Sequence, residues 1–170
     1  MSNFVEVKTE EWKVNPFQTI GKQWMAVTAE KDGKVNAMTA SWGGLGVMWG
    51  QDVAMIVVRP QRFTKEMIDA GETFSLSFLG QEHRKELNYL GMVSGRYENK
   101  VEKCGFTVLH EGKTPYFGEA ETVLICRKLF AQEMKEESFI DTAAMEKWYP
   151  NKDYHTLYVA AIEKILIKGE

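Results

Sequence analysis

Apolar and polar positions first alternate along Gln23–Glu30, where Trp24, Ala26 and Thr28 interleave with Met25, Val27 and Ala29. A period of two predicts a strand. Lys31-Asp32-Gly33-Lys34 follows, and an Asp-Gly pair between two apolar segments predicts a tight hairpin turn. Val35–Trp42 is then the returning strand, broken by Gly43-Gly44-Leu45-Gly46. Val53–Val58 is β-rich and apolar on both faces, the pattern of a strand inside a sheet. Phe63–Ala70 sets Phe63, Met67 and Ile68 on one side and stops at Gly71, which predicts a short helix. Phe74–Leu79 alternates again. Gln81–Leu90 carries His83, Leu87 and Leu90 on one side, ends at Gly91, and predicts a second helix. Glu119–Met134 and His155–Lys168 are long β-like stretches.

Strands therefore dominate, with short helices inserted between them and no regular β-α-β period. This argues against a doubly wound parallel sheet. It predicts a mainly-β fold, a small antiparallel barrel with helices attached, since closure removes exposed strand edges. No linker, repeat or low-complexity stretch divides residues 1–170, so a single domain is expected, long enough to bury a core.

Composition narrows the partners. With 21 Lys+Arg against 24 Asp+Glu the net charge is -3, which speaks against a broad polyanion-binding surface and hence against a nucleic-acid partner. The longest apolar runs, Val53–Val58 and Leu157–Ile162, fall far short of the ~20 residues of a membrane-spanning helix. The opening residues lack the basic and apolar regions of a signal peptide, so a cytoplasmic protein without a membrane partner is expected. Cys104 and Cys126 lack Cys-x-x-Cys spacing and are expected to be reduced, packed thiols. His83, His110 and His155 have no carboxylate or thiol at ligand spacing, so no metal site is predicted. Gly44-x-Gly46-x-x-x-Gly50 has its third glycine one position late for a dinucleotide fingerprint, and a strand follows where a helix is needed.

Two segments carry chemistry. In Arg59-Pro60-Gln61-Arg62-Phe63-Thr64-Lys65 an interior strand runs into a helix start, and three cations lie together without an acid. Thr64 is the expected N-cap. A helix start backed by arginines suits a phosphate or similar anion, whereas surface ion pairs would be the structural alternative. In Asn36-Ala37-Met38-Thr39-Ala40-Ser41-Trp42-Gly43-Gly44, small and hydroxyl residues lead into glycines beside a tryptophan. So bare a backbone can approach a flat ligand and offer N–H and C=O groups to its polar edge. A strand end with a bulge and a core Trp42 is the alternative. Together the segments suggest a phosphorylated heteroaromatic cofactor.

With Trp24-Met25, Asn36–Gly44, Arg59–Thr64, Ser94-Gly95-Arg96 and Asp153-Tyr154-His155 in this order, the chain resembles the flavin reductase-like family of FMN-binding split barrels, in its flavoredoxin-like branch. The resemblance spans Pro16 to Ile167. It implies a split β-barrel homodimer that binds FMN near the subunit interface. By that resemblance Met38, Thr39, Ala40, Ser41 and Trp42 lie along the flavin ring, with the Thr39 hydroxyl near its polar edge. Arg59, Pro60, Gln61, Arg62, Phe63 and Thr64 hold the ribityl phosphate, and Ser94, Gly95 and Arg96 sit near the same cofactor. His155 stands near the flavin face where a nicotinamide docks, as the candidate catalytic residue, with a structural hydrogen bond as its rival role.

The implied activity is an NAD(P)H-dependent flavin reductase: NADH or NADPH gives hydride to FMN, and electrons pass to an acceptor protein or free flavin. The alternative is a flavoredoxin-like electron-transfer protein or flavin carrier without its own NAD(P)H activity. Two departures bear on this choice. Phe63 stands where relatives often have Tyr, and Ala160-Ala161 stands where they often have Gly-Glu.

Overall fold

The computed structural model describes residues 4–169. In chain order the elements are β1 (Phe4–Val7), α1 (Pro16–Gln18, running into a π turn over Thr19–Gln23), β2 (Met25–Lys31), β3 (Lys34–Ala40), β4 (Gly43–Met48), β5 (Gln51–Val58) and α2 (Phe63–Ala70). They continue with β6 (Thr73–Phe78), α3 (Arg84–Met92), α4 (Lys100–Lys103), β7 (Val108–Glu111), β8 (Thr114–Phe117), β9 (Thr122–Glu133), α5 (Thr142–Trp148) and β10 (Thr156–Lys168). Eight strands form one antiparallel sheet in the order β3-β2-β6-β9-β10-β5-β4, with β1 also on β10, and β7-β8 is a separate hairpin.

The two longest strands form the spine. β10 pairs with β9 from Thr156 to Ile167, with register shifts at Val159/Ala160 and Ile162/Lys164. Such irregularities bend a strand. The far edge of β10 is accordingly shared, β5 taking Thr156–Ala161 and β1 taking Ile165–Lys168. The hydrogen-bonded path is open, with β3 and β4 at its ends. Helices α2, α3 and α4 pack against β3, and α2 and α3 also reach β2.

Two apolar clusters explain which faces are covered. Met25, Val27, Ile56, Phe74, Leu76, Leu124 and Tyr158 fill the inside of the sheet, and α2 adds Met67 and Ile68. Leu87 and Leu90 of α3 meet Ala26, Ala37, Phe106 and Phe117 on the other side of the β2-β3 hairpin. Cys126 is buried in the first cluster, and burial pushes its thiol well above the ordinary range. Cys104 is half-buried and its thiol is raised for the same reason, so both free cysteines are packing residues. Among the described residues no helix is long and apolar enough to cross a membrane.

Three local expectations are corrected. The glycines Gly43–Gly46 do not break the sheet but begin β4, and β3 ends at Ala40 instead of Trp42. The chain turns at Ser41-Trp42, and Gly43 then pairs with Ile56 at φ +142, where a Cβ would overlap the Met55 carbonyl. Only glycine allows that approach. The helix expected over Gln81–Leu90 is a 3-10 turn at Gln81–His83 followed by α3, which runs through Gly91 to Met92. Finally, Arg62 and not Thr64 occupies the N-cap of α2. Thr64 is buried inside the first turn, where its hydroxyl accepts from Asn36 Nδ2 at 2.9 Å.

Candidate functional site

The end strand β3 pairs with β2 alone, so the backbone groups on its other edge carry no sheet ladder. Where β3 ends, Met38, Thr39, Ala40, Ser41 and Trp42 line one side of a cavity of about 380 Å³. Across it stand Val57, at the end of β5, and Arg59, Gln61 and Arg62 from the loop into α2. Trp148 and His155, from the segment leading from α5 into β10, complete the lining. Both chemically distinctive segments of the sequence thus meet in one cavity, although more than a dozen residues separate them along the chain.

The three cations of the loop have different surroundings. Arg59 Nη1 pairs with Asp153 Oδ2 at 2.8 Å, and its Nη2 donates to the Trp148 carbonyl at 2.8 Å. Gln61 Nε2 donates to the same Asp153 oxygen at 2.8 Å. These donors, Gln61 foremost, hold the Asp153 carboxyl below its usual range. Lys65 pairs with Asp69 one helical turn away, at 2.7 Å. Arg62 donates to the Gly91 carbonyl at 2.7 Å, and no carboxylate lies within ion-pair distance of it among the described residues. Burial lowers its pKa, as expected for a guanidinium taken from water without a counter-charge.

A second cation, this one fully buried, sits nearby. Lys100, only 2% exposed, donates to the Leu90 and Val93 carbonyls, both at 2.8 Å. Burial and the charge of Arg62 bring its pKa down to about 8. Lys100 and Arg62 together satisfy carbonyls at the C-terminal end of α3, the negative end of its dipole. This accounts for how two cations persist there without an acid. It leaves their combined charge uncompensated.

At the other end of the cavity the rings gather. Trp42 meets Trp148 edge-on at 4.8 Å between centroids and His155 at 5.3 Å. Trp42 is 37% exposed and is not a core residue. His155 Nδ1 lies 2.7 Å from the Tyr149 hydroxyl. Burial, with Arg59 adding to it and Asp153 opposing, lowers the His155 pKa to about 4, so the ring is neutral near pH 7.

Of the remaining candidates only Thr39 is in the lining. Thr39 lines the cavity, but its hydroxyl proton goes to the Leu87 carbonyl at 2.5 Å, which leaves only its lone pairs for a ligand. Pro60 is exposed. Phe63 lies beneath Lys34 at 4.8 Å and Arg96 at 4.9 Å, outside the lining. Ser94, Gly95 and Arg96 do not line the cavity within one chain either. Arg96 pairs with Glu66, and Gly95 backs onto the Asn36 amide so closely that a Cβ would overlap it. Ala160 and Ala161 are buried between β9 and β5. His83, His110 and His155 stay apart, and no metal-binding group of side chains occurs among the described residues.

Sequence reasoning missed Val57, Trp148, Tyr149 and Lys100. The chain's five tryptophans exceed what a small core needs, but nothing local aims Trp148 at β3.

The family model described as flavin reductase like domain matches residues 17–170. The chain belongs to this family. Among solved structures, the flavin reductase-like chain is similar to an FMN-binding domain of a flavin reductases-like enzyme from Shewanella baltica OS155. Identity there is 15%, coverage 98% of this chain and 78% of that one, and the TM-score 0.71. It is similar to a flavoredoxin from Methanosarcina acetivorans at 23% identity, covering 84% and 67%, with a TM-score of 0.64. It also resembles the styrene monooxygenase flavin reductase from Pseudomonas putida S12 at 15% identity, covering 84% and 77%, with a TM-score of 0.60. At these identities the solved structures show the split-barrel fold. A comparison with curated protein sequences finds no match.

Proposed function

We propose that the cavity binds FMN and that the protein is an NAD(P)H-dependent flavin reductase. The observation that carries the reading is Arg62, a half-buried guanidinium without a carboxylate, in the same cavity as the unladdered end of β3. The donor set fits a phosphorylated flat ring. Arg62 supplies the cation for the phosphate, Arg59 and Gln61 brace the site beside it through Asp153, and Met38–Trp42 supplies backbone groups for the polar edge of the ring. Trp42, Trp148 and His155 supply flat walls. A bound flavin provides the two-electron acceptor that a nicotinamide donor requires.

The chain's own residues orient, shield and polarise. Backbone N–H groups from Ala40 to Trp42 oppose negative charge with dipoles already fixed by the fold. Arg59, tied to Asp153 and the Trp148 carbonyl, holds the segment that carries Trp148 and His155 over the cavity. Ser94–Arg96 remains a candidate contact from a second subunit, and a homodimer is part of the proposal. Exposed Phe17, Trp49, Met92 and Tyr97 support such an assembly. A cytoplasmic location and an acceptor protein or free flavin as electron sink complete the reading.

A second reading, a flavoredoxin-like carrier without nicotinamide activity, is favoured by Ala160 and Ala161, which stand on β10 where the family resemblance often implies Gly-Glu and so place no carboxylate there. One titration tests both. The purified protein should take up FMN and show the oxidised-flavin absorption bands, and adding NADH or NADPH should bleach them within seconds. Bleaching by neither nucleotide selects the carrier. Failure to bind FMN removes both readings.

A further inference from the structure

Tyr149 is held firmly and presents one polar atom. It ends α5, is 8% exposed, and its ring packs against Phe139 at 5.6 Å and Tyr154 at 5.2 Å, with the Arg59 guanidinium 5.0 Å from its centroid. Its hydroxyl has two neighbours, His155 Nδ1 at 2.7 Å and Met134 Sδ at 3.7 Å. A phenol has one proton to give. An imidazole nitrogen is a strong acceptor and a thioether a weak one, so the proton goes to Nδ1. Burial raises the Tyr149 pKa, which keeps the phenol protonated. A neutral imidazole that accepts at Nδ1 carries its own proton on Nε2. Among the described residues no hydrogen bond uses Nε2, and it is not among the sealed side-chain atoms without a partner. Because His155 lines the cavity, Nε2 opens toward it.

We propose that Tyr149 is a positioning residue that fixes His155 as the Nε2–H tautomer, so that the imidazole meets the cavity's occupant as a neutral hydrogen-bond donor and not as a proton acceptor. The groups facing His155 are consistent with this. Tyr149 from α5 donates to it, Arg59 at the end of β5 disfavours its protonation, and Asp153, whose charge would favour protonation, is already shared by Arg59 and Gln61. The class of partner this donor recognises is an uncharged acceptor, such as a carbonyl or carboxamide oxygen. That last step rests on the flavin and nicotinamide reading; the tautomer itself does not.

The test is nitrogen NMR of histidine-labelled protein, which separates protonated from unprotonated ring nitrogens. Wild type should show Nδ1 unprotonated and Nε2 protonated in at least about a tenfold excess, the scale of one buried hydrogen bond, unchanged from pH 8 to pH 5. Tyr149→Phe should bring the two tautomers within about threefold of each other, as expected when that bond is lost, and should move the titration of His155 upward toward its ordinary value. Met134→Leu should alter neither. Protonated Nδ1 in wild type overturns the proposal, as does a tautomer ratio that responds to Met134→Leu and not to Tyr149→Phe. In nicotinamide kinetics Tyr149→Phe should raise KM severalfold more than it lowers kcat and add an acid limb to the pH profile. A tautomer as expected with no FMN uptake leaves the positioning role standing and removes the flavin reading instead.

Discussion

Arg59 and Arg62 stand at the two ends of the tight turn between β5 and α2, line the same cavity, and have opposite electrostatic surroundings. Arg59 is neutralised by Asp153 and spends a second donor on the Trp148 carbonyl. Arg62 has only a neutral carbonyl, that of Gly91, and a second cation, the buried Lys100, close enough to lower its own pKa by repulsion. A cation already paired works as a tie within the fold. A cation buried without an acid is poised for a ligand that brings the negative charge, because the cost of its burial is recovered only then. The two arginines of one short motif thus divide the work between holding the site together and binding its ligand.

The largest break in this contrast should come from Arg62→Ala. Removing a charge-assisted contact to a phosphate is expected to weaken FMN binding about tenfold to hundredfold. Riboflavin, which lacks the phosphate, should bind the variant and the wild type alike, and fluorescence titration with both flavins measures the difference. Equal losses for the two flavins would place the phosphate elsewhere.

Arg59→Ala should instead act on the protein itself. It leaves Asp153 without its cation and frees the segment that carries Trp148, and a loss of about 1 kcal/mol corresponds to a melting midpoint lower by about 2–4 °C in a chain of this size. The same variant should raise the titration point of His155, since Arg59 helps to depress it. An unchanged midpoint would mean that the Asp153 tie contributes nothing.

Lys100→Met sharpens the Arg62 side. The folded-state pKa of Lys100 is about 8 against an ordinary 10.5, so between these values the unfolded chain binds a proton that the folded chain does not. Stability therefore gains from this group as pH rises from about 8 to 10.5. The variant should flatten that gain in denaturant titrations, and an identical pH profile would remove Lys100 from the electrostatics of the site. Lys65→Ala should do least. Its i,i+4 pair with Asp69 is a surface contact worth about 0.3–0.5 kcal/mol, so both flavin affinity and the midpoint should stay near wild type.

Reading these fates from the chain alone succeeds only in part. Lys65 and Asp69 sit four apart in a helix that the apolar positions Phe63, Met67 and Ile68 already announce, so their pairing is legible. Arg59 meets Asp153 across 94 positions, and no local pattern joins them. Lys100 has the composition of an exposed residue, and only the approach of the α3 carbonyls makes its burial tolerable. Trp148 reaches the cavity, and Tyr149 reaches His155 behind it, because β10 returns beside β5, a pairing that periodicity cannot select among the available strands. The strand break expected at Gly43–Gly46 falls instead at Ser41-Trp42, for a related reason. Glycines often interrupt a strand, but here the close passage of Gly43 over Met55 needs one inside it.

What the sequence determined by itself is therefore local. The Asp32-Gly33 hairpin, the interior strand at Val53–Val58, the short helix after it and the two long strands at the end follow from turn residues and apolar periodicity, which act over a few positions. The cation-rich loop and the bare strand end are legible as chemistry for the same reason. Tertiary structure decided which of the cations would be neutralised, which histidine nitrogen would face the cavity, and which aromatic rings would wall it. Charge compensation and burial depend on neighbours brought together from remote parts of the chain, and those neighbours exist only once the sheet has packed around its core.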